Sequence, residues 1–294
     1  MKRFLIKCCY VLLLVLLISL GMEWIAAHCV HNNYTAKRDY MDSHAQDIKL
    51  LLLGNSHMEN SFNVHLMGDS AYCLAQSGRA VYYDAYLLER YLPSMVNLKT
   101  VIMPLSHEGI AGDKRPYKLA HYDYAINYYK VFGLRPPHFP YNVVATSAWL
   151  SGTISPYYFA QRASADSLGY DREDDVFSGL PDEFCQKFKP PSSEGIACYE
   201  HYLSEIARQC DERGIRLIVL TTPRTDCYLA LYPPDMQGRI HEMVARVQRR
   251  YAFEYRDYSY DEEFRNDSLY CNSNHLNHRG GSLLAERVRR DFGL

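Results

Sequence analysis

The sequence predicts an α/β domain of three layers, in which helices cover both faces of a mostly parallel sheet. Four short apolar runs, at 49–53, 98–103, 215–221 and 252–256, alternate with helical patterns at 80–92, 195–213, 236–250 and 280–292. This alternation is the βαβ pattern of a parallel sheet. With 48% apolar residues among 294, the chain is also long enough to bury one large core.

The first 30 residues predict a membrane segment. Lys2, Arg3 and Lys7 precede an uncharged apolar stretch from Cys8 to Met22. The basic flank indicates a cytoplasmic N-terminus and an extracytoplasmic domain, residues 45–294, in the periplasm or at the cell surface. A cleaved signal peptide is the alternative, because the stretch is short for a full span of roughly 20 residues. Ile25-Ala26-Ala27-His28 offers no small-x-small cleavage site, so a retained anchor over 1–30 is preferred.

The first predicted strand, 49–53, leads directly into Gly54-Asn55-Ser56. An unbroken apolar run stopped by glycine is typical of a strand buried on both faces, and such strands carry ligands at their carboxyl ends. Gly54 permits a sharp turn, and Ser56 falls where a helix can begin, so that its backbone N–H favours a developing oxyanion. Ser56 is therefore a candidate nucleophile, although Asn-Ser is also an ordinary turn and helix cap.

A second motif, Asn272 to Asn277, contains His275 and precedes the predicted helix at 280–292. Histidine is the usual proton acceptor for a serine hydroxyl near neutral pH. Several α/β hydrolytic folds assemble a nucleophile on the turn after a buried strand and a histidine from the last part of the chain. The two motifs together predict a Ser56–His275 pair.

Gly54-Asn55-Ser56-His57 and the block from Asn272 to Gly280, with His275-Leu276-Asn277 at its centre, resemble the SGNH, or GDSL-like, hydrolase superfamily. The resemblance is closest to membrane-anchored members that read GNSH or GSSH. It implies an SGNH (flavodoxin-like) fold and esterase or O-acyltransferase activity on an extracytoplasmic glycan or cell-envelope polymer. It also implies an oxyanion hole formed by Ser56 and Gly78. The implied partners are an acylated glycan or other ester substrate and the membrane.

The motifs depart from the family pattern at two places. The family's Gly-x-Asn-Asp block is absent, so that Ser106 or His107 would replace its side-chain donor. Three residues before the histidine, where the family has an acid, this chain has Asn272. Its amide oxygen can hold the ring but cannot stabilise an imidazolium by charge. Asp257 and Asp267 are nearby in sequence and are alternatives. An inactive scaffold that binds a glycan or protein partner at the cell envelope therefore remains the competing interpretation.

The connection from 104 to 194 is long and rich in Tyr and Pro, which predicts a lid or substrate-shaping insertion with helices of its own. The 26 tyrosines suit stacking on sugar rings, although Tyr also fills half-buried sites with one wet end. Arg224, after the 215–221 run, either holds an anionic substrate group or pairs with Asp226.

Composition argues against several other classes of site. A net charge of −2 provides no electrostatic footprint for nucleic acid. No CxxC spacing indicates zinc, and His107, His121 and His138 lack metal-ligand spacing, so that neither a metal nor a cofactor is expected. Of the seven cysteines after the apolar stretch Cys8–Met22, Cys227 and Cys271 are candidates for redox-sensitive thiols, although buried small side chains are the preferred interpretation.

Overall fold

The computed structural model describes residues 1–29, 31–111, 128, 131–133 and 163–294. The chain divides into two compact units, Met1–Asp39 with Arg115–Ser164, and Tyr40–Lys114 with Ala165–Leu294. Residues 112–127, 129–130 and 134–162 of the predicted insertion, including His121 and His138, lie outside the described residues. The role of the insertion as a lid therefore stays a prediction.

The first unit begins with α1, Lys2–His28. Its segment Lys2–Met22 is long and apolar enough to cross a membrane, and none of it is buried. The predicted N-terminal apolar helix is thus confirmed, and a helix of this kind suits either an anchor or a signal sequence. Helix α2, Asn33–His44, follows, and Tyr34 near its start packs edge-on against Tyr128.

The second unit contains a five-stranded parallel sheet in the order β2-β1-β3-β4-β5. The strands are β1 Leu50–Leu52, β2 Ala71–Cys73, β3 Thr100–Pro104, β4 Arg216–Thr221 and β5 Glu254–Asp257. This is the flavodoxin-like order, in which the chain starts near the middle of the sheet and winds outward in both directions. The predicted α/β class with a mostly parallel sheet is confirmed, and β2 is the strand that the sequence did not predict.

Among its described residues, this unit has eight further helices and a small hairpin. The helices are α3 Ser56–Glu59, α4 Val81–Tyr91, α5 His107–Ala111, α6 Glu183–Gln186, α7 Ser193–Asp211, α8 Asp226–Leu229, α9 Met236–Gln248 and α10 His278–Phe292. The hairpin joins β6 Tyr270–Asn272 to β7 His275–Leu276. Short 3-10 turns occur at Ala45–Asp47, Val64–Met67, Glu262–Phe264 and Asp267–Leu269.

Both faces of the sheet are covered. Leu52, Ile102 and Ile218 share one apolar cluster with Leu284 and Val288 of α10. The strand residues that alternate with them point to the opposite face, where α7 packs against α4, α9 and β4. Burial on both sides explains why β1, β3 and most of β4 are apolar runs rather than alternating ones.

Candidate active site

Ser56 is presented by a sharp turn directly after β1. Gly54 adopts a φ of 115°, and a Cβ at this position would lie 2.2 Å from Cδ of Pro104, so only glycine fits. Its N–H donates to Asp84 Oδ1 at 3.0 Å. Asn55 then caps α3 by accepting from the backbone N–H of His57, which places Ser56 as the first helical residue at the carboxyl end of the strand.

The hairpin β6–β7 brings His275 to this serine. Ser56 Oγ lies 2.7 Å from Nε2 of His275, across 219 positions of sequence. Nδ1 of the same ring lies 3.0 Å from Asn272 Oδ1. That oxygen also accepts from the backbone N–H groups of His275 and Asn274. The two N–H groups identify this atom as the amide oxygen, which accepts hydrogen bonds and has no proton to donate. Nδ1 therefore carries the ring proton, and Nε2 is left to accept one from Ser56.

Asn272 therefore occupies the position in which a triad has its acid. Neither of the two alternative carboxylates lies there. Asp257 accepts from Gln237 and His241 at the end of β5, and Asp267 belongs to an exposed 3-10 turn. The arrangement at Ser56 is a dyad whose histidine is oriented by an amide.

The two further oxyanion candidates differ in their placement. Gly78, with a φ of 73°, lines the same cavity as Ser56. Ser106 is buried outside that lining, where its Oγ accepts from Asn55 Nδ2 at 2.7 Å and from the Gly109 N–H at 3.0 Å. Gly78 thus lies at the cavity, whereas the Ser106 hydroxyl is hydrogen-bonded to the Asn55 side chain and does not line the cavity. Backbone N–H groups of Ser56 and Gly78 remain as the candidate donors.

A second histidine, which the sequence analysis did not select, stacks on the first. The rings of His57 and His275 are 4.3 Å apart and nearly parallel. His57 Nε2 lies 3.2 Å from both Glu108 Oε2 and Arg224 Nη2. Its sequence signal was its place beside Ser56 in the GNSH motif. Glu108 had no comparable signal, since 51 positions separate it from His57.

Glu108 joins this cluster to the hairpin and to α8. Its Oε1 accepts from the Tyr228 hydroxyl at 2.7 Å and from Asn274 Nδ2 at 3.1 Å. Its Oε2 accepts from Arg224, whose side chain is fully buried. Arg224 also donates to the carbonyls of Thr222 and Pro223. It does not pair with Asp226, which bonds Arg265 instead; that alternative for Arg224 was wrong.

The charges of the cluster explain the protonation states. Burial opposes ionisation of Glu108, but Arg224 and His57 outweigh it and hold the pKa of the carboxyl well below its usual range. Burial, followed by His57 and Arg224, holds the pKa of His275 well below its usual range, although Glu108 acts in the opposite direction. His275 is therefore a neutral imidazole at neutral pH, as a general base must be.

Ser56 and His275 open into a cavity of about 750 Å³. Its lining comprises Asn55, Ser56, His57, Gly78, His107, Glu108, Phe184, Gln186, Lys187, Phe188, Lys189, Tyr228, Asn274 and His275. One wall comes from α6 and the residues after it. Phe184 lies edge-on to the His275 ring at 5.4 Å, and Asp182, the cap of α6, accepts from the N–H and hydroxyl of Ser273.

His107 also lines this cavity. It is buried, and its Nδ1 contacts the Tyr232 hydroxyl at 2.5 Å. Among the described residues, no group of three or more His, Cys, Asp or Glu side chains is placed to hold a metal ion. The chemistry available to the site is that of a hydroxyl nucleophile, an imidazole base and fixed N–H donors.

A scan against models of protein families finds no match, and a comparison with curated proteins finds none either. Several solved structures are similar to the chain. A GDSL-like lipase from Bacteroides thetaiotaomicron has a TM-score of 0.45 and 10% identity, covering 88% of this chain and 98% of its own. A Streptococcus pneumonia structure described by the words platelet activating factor has a TM-score of 0.43 and 11% identity, covering 97% and 98%.

A third similar structure is a carbohydrate esterase family 2 enzyme with a carbohydrate binding domain, from Corynascus thermopiles. Its TM-score is 0.35 at 13% identity, covering 84% of this chain and 67% of its own. At such low similarity the activity of this chain has to be inferred from its own side chains.

Proposed function

We propose that this protein is an SGNH-type serine esterase or O-acyltransferase that acts on an acylated glycan or another ester. The observation that carries the proposal is the chain of contacts from Ser56 Oγ to His275 Nε2 and from His275 Nδ1 to Asn272 Oδ1. A hydroxyl on a sharp turn, hydrogen-bonded to a neutral imidazole whose tautomer is fixed, is an activated nucleophile.

The mechanism follows from these contacts. His275 Nε2 takes the Ser56 proton as Oγ attacks the ester carbonyl. The backbone N–H groups of Ser56 and Gly78 donate hydrogen bonds to the carbonyl oxygen as it becomes negatively charged. His275 then returns the proton to the leaving alcohol, which leaves an acyl group on Ser56. Water, or a sugar hydroxyl in a transfer reaction, releases the acyl group with the same histidine as base. Which acceptor prevails depends on how well the cavity excludes water.

The cavity wall supports a glycan-like substrate that carries negative charge. Phe184 and Phe188 line the cavity, and aromatic side chains suit contact with sugar rings. Lys187 and Lys189 both line the cavity, but Lys187 pairs with Glu183 of α6, so that Lys189 carries the positive charge of this wall. Glu108, the acidic residue of the lining, is neutralised by Arg224. An ester whose sugar or polymer backbone also bears a carboxylate or phosphate fits this wall best. With the N-terminal helix as its anchor, the domain would act outside the cytoplasm.

A binding scaffold is the second candidate, favoured by Asn272 in place of an acid and by the turned-away Ser106. A fluorophosphonate probe separates the two, because it reacts covalently only with an activated serine. We expect the full-length protein in detergent to be labelled at Ser56, located by mass mapping. Ser56→Ala should lose the label and His275→Ala should slow it strongly. Ser193→Ala should not affect it, since Ser193 opens α7 at an exposed position. A folded wild type without label would support the scaffold.

The charge preference has its own test. Lys189→Glu should raise KM for an acidic acetylated sugar by about 3- to 10-fold, as expected for one reversed charge near the surface. KM for a neutral acetylated sugar should hardly change. Lys99→Glu is the matched control. Lys99 is exposed and lies just before β3, at the end of the strands opposite the cavity. Equal effects of Lys189→Glu on both sugars would contradict an anionic substrate.

A further inference from the structure

Two cysteines from different elements meet beside the cavity. Cys185 lies in α6 and Cys227 in α8, and their Sγ atoms are 3.9 Å apart. The two helices contact each other, and both side chains are half-buried. A disulfide requires an S–S distance of about 2.05 Å, so the two thiols are in contact and need only a small further approach to bond.

Both helices are already attached to the same residue of the hairpin β6–β7, which holds His275 and is called the catalytic hairpin below. Asp182 caps α6 and accepts from Ser273. Thr225, the residue before α8, donates through its hydroxyl to the Ser273 carbonyl at 2.7 Å. Because Ser273 follows Asn272, these contacts tie the cavity wall to the loop that orients His275. A bond between the two sulfurs would add a direct covalent link between α6 and α8.

Each helix also contributes directly to the cavity. Phe184, next to Cys185, packs edge-on against His275. Tyr228, next to Cys227, donates to Glu108. A covalent link would therefore fix the aromatic wall relative to the dyad. By comparison, Cys73 and Cys210 are buried in the core, where small apolar packing accounts for them.

We infer that Cys185 and Cys227 form a reversible disulfide that clamps the α6 wall of the cavity against the catalytic hairpin. The oxidant is a low-molecular-weight disulfide or the disulfide of a thiol oxidoreductase. One protein thiolate attacks the oxidant and releases one of its sulfurs as a thiol. The second protein thiolate then attacks the mixed disulfide and releases the other. The two protein thiols lose two electrons and two protons, and the oxidant is reduced to two thiols.

The test equilibrates the folded full-length protein in detergent with oxidised glutathione or with dithiothreitol, then alkylates free thiols and maps peptides by mass. We expect a cross-linked pair containing Cys185 and Cys227, lighter by two hydrogens, after oxidation only. Free, alkylated Cys185 and Cys227 in the oxidised sample, or bonds mainly to other cysteines, would overturn the inference. This readout needs no substrate, so it stands or fails apart from the proposed esterase activity.

Thermal denaturation supplies a second readout. The loop closed by the bond spans 42 positions, and oxidation should raise the Tm by about 5–10 °C. Cys185→Ser and Cys227→Ser should each abolish the redox-dependent difference in Tm. Cys29→Ser, which removes an exposed cysteine outside the pair, should preserve it. A difference in Tm that persists in both variants of the pair would contradict the assignment.

Discussion

Replacing Asn272 with Asp should convert the oriented dyad into a charged triad. The substitution keeps Oδ1, which accepts from His275 Nδ1 at 3.0 Å and from two backbone N–H groups. It replaces Nδ2, whose contact is the weak one with Cys271 Sγ at 3.5 Å. The new carboxylate therefore finds three N–H donors already in place, and the geometry of the site should not change.

The size of the effect follows from the charge that develops on His275. Two unit charges at this separation attract by about 5 kcal/mol at an effective dielectric constant of 20. Removing a carboxylate from water offsets much of that attraction. A net gain of about 1.4–2.8 kcal/mol in the transition state corresponds to a rate increase of about 10- to 100-fold. In the serine triad of another fold, Asp to Asn lowers turnover about 10,000-fold, but there the histidine tautomer is wrong. Here Asn272 already fixes it.

The assay is turnover of p-nitrophenyl acetate across pH. We expect kcat and kcat/KM to rise together, because the new attraction exists only once the imidazolium forms. The active form of His275 is neutral and its pKa is held low by burial, His57 and Arg224. Wild-type activity should therefore persist below pH 6.5, and the carboxylate should move the acidic limb of the profile to higher pH. Unchanged or lower turnover in folded Asn272→Asp, with no shift of that limb, would refute this reasoning. Asn272→Ala should lose activity.

Glu108→Gln leaves a fully buried arginine without its carboxylate, so the free energy of unfolding should fall by about 2–4 kcal/mol in denaturant titrations. Glu212→Gln, whose ion pair is exposed, should change it by less than about 1 kcal/mol. Gly54→Ala puts a Cβ into the proline that ends β3 and should abolish probe labelling. Its control, Gly238→Ala, lies in a helix with open space around it and should leave the free energy of unfolding unchanged or raise it by up to about 1 kcal/mol. The full chain should sediment with membranes and resist carbonate extraction; a soluble mature form would indicate a cleaved signal peptide.

The centre of the main sheet was predictable because β1, β3 and β4 are buried on both faces. Leu50 to Leu52 and Leu217 to Leu220 are continuous apolar runs bounded by helical patterns, which single-sequence reasoning recognises well. Strand β2, Ala71–Cys73, was missed because three residues at the edge of the sheet carry too little pattern. The hairpin that holds His275 was missed for the same reason, since β7 has two residues.

At the site, the motif residues were predictable and their supporting residues were not. Ser56 and His275 each lie in a short block with a family pattern, so their pairing could be anticipated from two ends of the chain. Glu108 and Arg224 are 116 positions apart, and only the parallel sheet brings the ends of β3 and β4 side by side. A buried ion pair assembled by topology leaves no local signal in the sequence.

The surroundings of His275 have a consequence for its chemistry. Burial, followed by the charges of His57 and Arg224, lowers the pKa of His275 and disfavours the imidazolium, although Glu108 acts in the opposite direction. A histidine of low pKa is a weaker base toward Ser56 but, once protonated, a stronger acid toward the leaving alcohol. The slow event should then be attack on the carbonyl rather than departure of the alcohol. Rates should therefore depend strongly on how electrophilic the carbonyl is. Esters of unactivated sugar alcohols should still be cleaved, because the protonated His275 is a strong acid that assists departure of the alcohol.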